Sequence, residues 1–169
     1  MKTIILFTIA CLFFLSCTRT VYIVRHAEKA QASDSLPNMS LTDPPLSEPG
    51  KVRAMSLKNE LAGKHISHIY STNTIRTFYT ADPLSKSLNI PTKVYSNIDS
   101  LVTVLKNSKG NSLVVGHSNT VDDIANKLAG KIYVNGDLKD NEYDNLFIVR
   151  FRGKKASFER RKYGYPSNP

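Results

Sequence analysis

The apolar positions of this chain fall into short unbroken runs set between longer stretches of helical spacing. Val21-Tyr22-Ile23-Val24 is apolar and mostly β-branched without alternation, the pattern of a strand buried on both faces. Ile66 to Tyr70 reads as a second strand, Leu113-Val114-Val115 as a third, buried one, and Lys93 to Tyr95 as a shorter strand. Between them, Ser47 caps a helix with Val52, Leu57 and Leu61 among its apolar positions, ending near Gly63. Thr74 to Leu88 reads as a second helix, which Pro83 is expected to bend or to restrict at its start. Asp99 to Leu105 is a short helix with Leu101 and Leu105 four apart, and Thr120 to Leu128 a fourth that stops at Gly130. Leu146 to Phe151 and Ser157 to Tyr163 flank Gly153-Lys154-Lys155 as a terminal hairpin. Gln31 to Pro45, rich in Ser, Asp, Asn and Pro, reads as an exposed loop. Strands alternating with helices predict an α/β three-layer sandwich around a mostly parallel central sheet.

The first residues follow a different pattern. Lys2 precedes an uncharged, mostly apolar run from Thr3 to Leu15, the layout of a signal peptide and too short for a spanning helix. Phe14-Leu15-Ser16-Cys17 resembles a bacterial lipoprotein cleavage site, with Cys17 acylated as the first mature residue and Phe14 the departure from the usual small aliphatic residue. The expectation is a signal over residues 1–16, one domain over 17–169, export, and a lipid anchor at Cys17 on the periplasmic face of a bacterial membrane, the outer one favoured by Thr18. Oligomeric state is not legible.

Composition narrows the rest. With 41% hydrophobic and 22% charged residues in 169, the chain has ordinary globular make-up, long enough for a core of its own. Cys11 and Cys17 both lie near the N-terminus, which excludes a disulfide scaffold or a cysteine zinc site in the body. The net charge of +9 is concentrated between Arg150 and Lys162, where seven cations face Glu159 alone. Solvated cations on a strand pair give that count, and a patch for acidic lipid gives it too. The Tyr and Phe residues are scattered and Trp is absent, so no stacking platform for nucleic acid emerges.

In parallel sheets the ligand crevice lies beyond the carboxyl ends of the strands. Arg25-His26 follows Val24, Ser71 and then Arg76 follow Tyr70, and Gly116-His117 follows Val115. Two guanidiniums and two imidazoles make an electropositive cup suited to a tetrahedral oxyanion, phosphate above all. Arginine grips phosphate oxygens bidentately and stays charged, while a neutral imidazole nitrogen is a competent nucleophile. Phosphoryl transfer asks for little beyond in-line positioning and charge neutralisation. His65 and His68, three apart where a loop enters a strand, have no third ligand nearby and read as structural or solvent-facing.

These residues resemble the histidine phosphatases, the phosphoglycerate mutase-like superfamily. Val24-Arg25-His26-Ala27-Glu28-Lys29 is similar to its opening signature, and Tyr70-Ser71-Thr72 with Arg76-Thr77 and Thr80-Ala81 to its second. Val115-Gly116-His117-Ser118-Asn119 is similar to its third. Pro45-Leu46-Ser47 with Glu48 and Gly50 resembles the entry to the first helix, and Tyr143-Asp144-Asn145-Leu146 the entry to the last hairpin. The resemblance covers residues 20–164. It implies that His26 is transiently phosphorylated, that Arg25 and Arg76 hold the phosphoryl oxygens, and that His117 bonds the same group through the transition state. It implies no metal or cofactor, a small phosphorylated substrate, and Ser71 and Asn119 as pocket residues.

The family's general acid has no clear counterpart. Between Thr77 and Ser112 the only carboxylates are Asp82, inside a helix, and Asp99, which has a helix-capping explanation as well as an acidic one. Glu28 is a further possibility, better placed to orient Arg25 or to face the loop. Two functions follow: a phosphatase acting on phosphomonoesters or phosphohistidine, or a non-catalytic lipoprotein that retains the phosphate pocket. The loop from Gln31 to Thr42 and the segment from Tyr95 to Ser100 are expected to form the rim.

Overall fold

The computed structural model describes residues 18–34, 40 and 42–167; the expected signal segment and Cys17 lie outside the described residues. Six strands form one sheet: β1 (Thr18–Arg25), β2 (Ile66–Ser71), β3 (Thr92–Val94), β4 (Asn111–Gly116), β5 (Asn145–Arg152) and β6 (Lys155–Lys162). Their spatial order is β3-β2-β4-β1-β5-β6. The first four run parallel, while β5 is antiparallel to both β1 and β6 and closes the sheet as the expected hairpin. Four helices connect the strands: α1 (Glu48–Leu61), α2 (Ile75–Leu88), α3 (Ile98–Asn107) and α4 (Val121–Ala129).

Alternation along the buried strands divides the core into two layers. Val21 and Ile23 of β1, Val114 of β4 and Phe147, Val149 and Phe151 of β5 pack against Leu101, Leu105, Ile124 and Leu128 of α3 and α4. Tyr22 and Val24, Leu113 and Val115, and Leu146 and Ile148 point the other way, onto Leu57 and Leu61 of α1 and Ala81 and Leu84 of α2. β1 and β4 are covered on both faces, which is why Val21 to Val24 and Leu113 to Val115 show unbroken apolar runs rather than alternation.

Several boundaries differ from expectation. β1 begins at Thr18, three residues early, because its pairing with β5 continues to Thr18 opposite Arg152. Val52 is 56% exposed, and its neighbour Arg53 is fully buried in its place. Pro83 lies inside a helix that continues to Leu88, with Ala81 and Leu84 buried to either side of it. The cap of α3 is Asn97, whose side chain accepts from the Ser100 N–H at 2.8 Å, so Asp99 is not needed for that role.

Two glycines are demanded by close approach. A Cβ at Gly50 would lie 2.1 Å from the Glu28 carbonyl oxygen, where the start of α1 presses on the chain leaving β1. At Gly116 it would meet Thr120 Oγ1 at 2.7 Å and the Tyr95 hydroxyl at 2.8 Å. Both glycines thus allow chain segments to converge beside the carboxyl ends of the strands.

Candidate active site

Register brings the three strand exits together. Arg25 pairs with Gly116 across β1 and β4, and the His26 N–H donates to the Gly116 carbonyl at 2.9 Å, so His26 and His117 leave neighbouring strands side by side. Their rings stand 5.4 Å apart, edge to face at 68°. Ser71, opposite Val115, ends β2 on the other flank of β4, and the chain then turns into α2 carrying Arg76. Thr80 joins the signatures, accepting from the Ala27 N–H at 2.9 Å and donating to the Arg76 carbonyl at 2.8 Å.

His26 is 4% exposed, and its Nδ1 lies 2.7 Å from the Ala27 carbonyl oxygen. A carbonyl only accepts, so Nδ1 carries the proton and Nε2 keeps its lone pair. Burial is the main cause that pulls the pKa of this ring down to about 3; the Ala27 carbonyl opposes it, and Arg25, Arg76 and His117 push the same way as burial. The ring is therefore neutral at any physiological pH. His117 is depressed as well, first by burial and then by Arg76 and Arg25, with Asp43 opposing.

Both guanidiniums are held from one side. Arg25, 4% exposed, donates through Nη1 to the carbonyls of Lys139 at 2.7 Å and Asp140 at 3.2 Å, and lies 4.2 Å over the ring of Tyr143. Arg76 donates through Nη1 to Asp43 at 3.1 Å. The Nε atoms of both arginines are buried without a hydrogen-bond partner among the described residues. Buried donors of this kind are costly unless something accepts from them, and an oxyanion does. A cup of neutral imidazoles and fixed cations suits a phosphoryl group, and the composition of the site, rich in nitrogen donors and poor in free carboxylates, does not suit a divalent cation.

The other expected residues fall elsewhere. Ser71 is fully buried and donates to the Thr72 carbonyl at 2.9 Å, so its hydroxyl shapes the turn after β2. Asn119 is exposed on the turn between His117 and α4. Asp99 is corrected most clearly: its exposed carboxylate binds Lys127 at 2.6 Å, near the far end of α4 from His117. Glu28 does not orient Arg25. It makes a two-oxygen pair with the fully buried Arg53, through Nε at 2.8 and 2.9 Å and Nη2 at 2.7 Å.

Three site residues escaped the sequence reading. Thr72 Oγ1 is 2.9 Å from His117 Nε2. Asp43, besides meeting Arg76, accepts from the Ile75 N–H at 3.0 Å and so caps α2, where Thr74 makes no side-chain cap. Tyr143 stacks on Arg25 and tilts 6.0 Å from His26. Tyr143 had a signal in the motif before the last hairpin, whereas Asp43, inside a polar loop, had none.

Comparison with known proteins agrees with this geometry. Residues 21–101 match the model of the histidine phosphatase superfamily (branch 1). No curated protein matches the chain. Among solved structures, the protein histidine phosphatase SixA in complex with tungstate aligns with a TM-score of 0.65 at 18% identity, over 85% of this chain and 96% of that one. A mycobacterial glucosyl-3-phosphoglycerate phosphatase aligns with a TM-score of 0.62 at 11% identity, over 86% and 98%. A phosphoglycerate mutase from Bacillus anthracis aligns at 0.53 and 17%, over 86% and 93%. At these identities the shared property is the fold. Residues 21–101 thus carry the sequence pattern of the histidine phosphatase superfamily, and the whole described chain carries a fold that these phosphatases and the mutase share.

Proposed function

We propose that the protein is a metal-independent phosphatase that works through a phosphohistidine at His26. The observation that carries this reading is a neutral His26 with its proton fixed on Nδ1, standing beside two guanidiniums whose buried Nε donors have no partner among the described residues. Nε2 attacks phosphorus, the N–P bond forms, and the bond to the leaving group breaks with its electron pair. Arg25 and Arg76 neutralise the equatorial oxygens, and His117, which Thr72 meets at Nε2, stands beside His26 against the same group. Water then attacks phosphorus, releases inorganic phosphate and returns His26 to its neutral form.

The leaving group needs a proton unless it departs readily. Asp99 is occupied by Lys127, and Asp43 is committed to Arg76 and the start of α2. This distribution favours good leaving groups, phosphohistidine and other phosphoramidates, over simple alkyl phosphates. We further propose export under the signal at residues 1–16 and a lipid tether at Cys17. The reading rests on the charge and hydropathy pattern ahead of Thr18.

The test is phosphate release in EDTA by the full chain beside His26→Ala, from phosphohistidine, aryl phosphates and alkyl phosphates. Turnover lost in the variant, strongest with the phosphoramidate, is the expected result. Phosphate binding without turnover on any substrate would replace the reading with that of a phospholigand-binding protein.

A further inference from the structure

The cations at the start of the sheet suggest a surface that the catalytic reading does not use. Of the seven between Arg150 and Lys162, four are paired: Arg150 and Arg161 share Glu159, Arg160 meets Glu142 at 3.0 Å, and Lys162 meets Asp144 at 2.6 Å. Arg152, Lys154 and Lys155, at the tip of the β5–β6 hairpin, are exposed and have no ion pair among the described residues. Two adjoining clefts run beneath them, and Arg19 and Lys106 lie in their walls. Among the described residues no carboxylate lines either cleft; Phe151 and Ala156 line both. Arg19 itself is spread over the Phe151 ring at 4.4 Å and donates through Nη2 to the Lys106 carbonyl, and its Nε has no partner among the described residues.

The position of this patch decides its partner. Thr18, where the described chain begins, lines the larger cleft and pairs with Arg152. Residues 1–17, with the proposed tether at Cys17, therefore join the body at the basic end. The catalytic cup lies at the other end of β1: seven residue steps separate Thr18 from Arg25, about 23 Å at ~3.3 Å per step. That separation exceeds the screening length of about 8 Å in physiological salt, so charge at one end is scarcely felt at the other.

We propose that the face formed by Arg19, Lys106, Arg152, Lys154 and Lys155 lies against an anionic lipid surface, with the cup turned away from it. The tether alone would hold the chain near a membrane in any orientation. The unpaired cations around its point of attachment select one, because each basic residue at an anionic surface strengthens binding about fivefold. This inference rests on the tethered reading of residues 1–17, and its test separates the two.

The full chain is reconstituted with vesicles of phosphatidylcholine, alone or mixed with phosphatidylglycerol, and lysines are acetylated and read by mass spectrometry. Lys106, Lys154 and Lys155 are expected to react at least about fivefold more slowly on the anionic vesicles than on the neutral ones. Lys29 and Lys139, at the cup end, are expected to react equally on both. The triple variant Arg152→Glu, Lys154→Glu, Lys155→Glu abolishes the protection of Lys106 and leaves phosphate release unchanged. Equal protection on the two vesicles overturns the proposal. Stronger protection by duplex DNA than by anionic vesicles also overturns it and gives the face to nucleic acid. Failure of the tether shows separately, as loss of flotation with neutral vesicles. The face is then judged by flotation with anionic vesicles and its loss in the triple variant.

Discussion

Nδ1 of His26 and the carbonyl oxygen of Ala27 are 2.7 Å apart, and this bond to the next residue in the chain decides which nitrogen is free to react. The ring is buried between strand exits and faced by two guanidiniums, so protonating it would place a third positive charge in one cup. Burial and charge thus act together to keep Nε2 unprotonated, with its lone pair free, the condition a nucleophilic imidazole requires.

Stability should fall with acid for the same reason. The pKa of His26 is about 3 in the folded chain against an ordinary 6.5, so between those values the unfolded chain binds a proton that the folded chain does not. Stability from this group is complete above pH 6.5 and is lost as pH falls toward 3, by on the order of a few kcal/mol. Denaturant unfolding at stepped pH values checks it: His26→Asn should flatten the slope in that window. An unchanged slope would mean that the ring titrates normally. In kcat/KM the acid limb should follow the second ionisation of the phosphate substrate rather than the nucleophile.

Thr72 gives a sharper test of the other imidazole. Its hydroxyl lies 2.9 Å from His117 Nε2 and is tied to Thr77 at 3.1 Å, which fixes the ring's direction. Thr72→Val should lower kcat about 5- to 10-fold, the worth of one hydrogen bond, with KM little changed. Thr72→Ser should recover most of the loss. A fall in thermal stability with kcat preserved would make Thr72 structural only.

Gly50→Ala should damage the site from a distance. The added methyl meets the Glu28 carbonyl at 2.1 Å, and both chain segments are held there, since the Ser47 N–H donates to that same carbonyl at 2.9 Å. Overpacking of this kind costs about 1–3 kcal/mol. The displacement falls two residues after His26, so phosphate release should fall along with the unfolding midpoint. A stable, fully active variant would show that the entry to α1 yields freely.

The contrast between Arg25 and Glu28 shows how far the sequence could be read. Runs such as Val21 to Val24 disclosed a sheet covered on both faces, and the exits of those runs disclosed Arg25, His26 and His117, because topology alone places strand ends in one crevice. The partners of Glu28 and Asp99 are not legible in the sequence, because a carboxylate finds its partner through tertiary contact. Arg53 reaches Glu28 from α1 and Lys127 reaches Asp99 from α4, and no periodicity encodes either distance. Asp43 went unseen for the same reason: it caps a helix that begins thirty-two residues later.

The Glu28–Arg53 pair carries the last prediction. Arg53 is wholly buried; beyond Glu28 it donates through Nη1 to the carbonyls of Tyr163 at 3.2 Å and Tyr165 at 3.1 Å, and it lies 4.3 Å over the Tyr165 ring. It therefore ties the exit of β1 to the chain beyond β6. Glu28→Ala strands a buried guanidinium without its counter-charge, at a cost of about 3–5 kcal/mol. Arg53→Met removes the charge itself and leaves the partly exposed Glu28 to water, so it should cost less. The double variant should be more stable than Glu28→Ala alone, a reversal that denaturant midpoints in a double-mutant cycle will register. Glu28→Gln, which preserves the packing, should keep most of its phosphate release at temperatures where it is folded, because His26 is positioned by the β1–β4 register and not by this pair. Loss of turnover in a stably folded Glu28→Gln would instead place the Glu28 carboxylate among the groups that act on the leaving group.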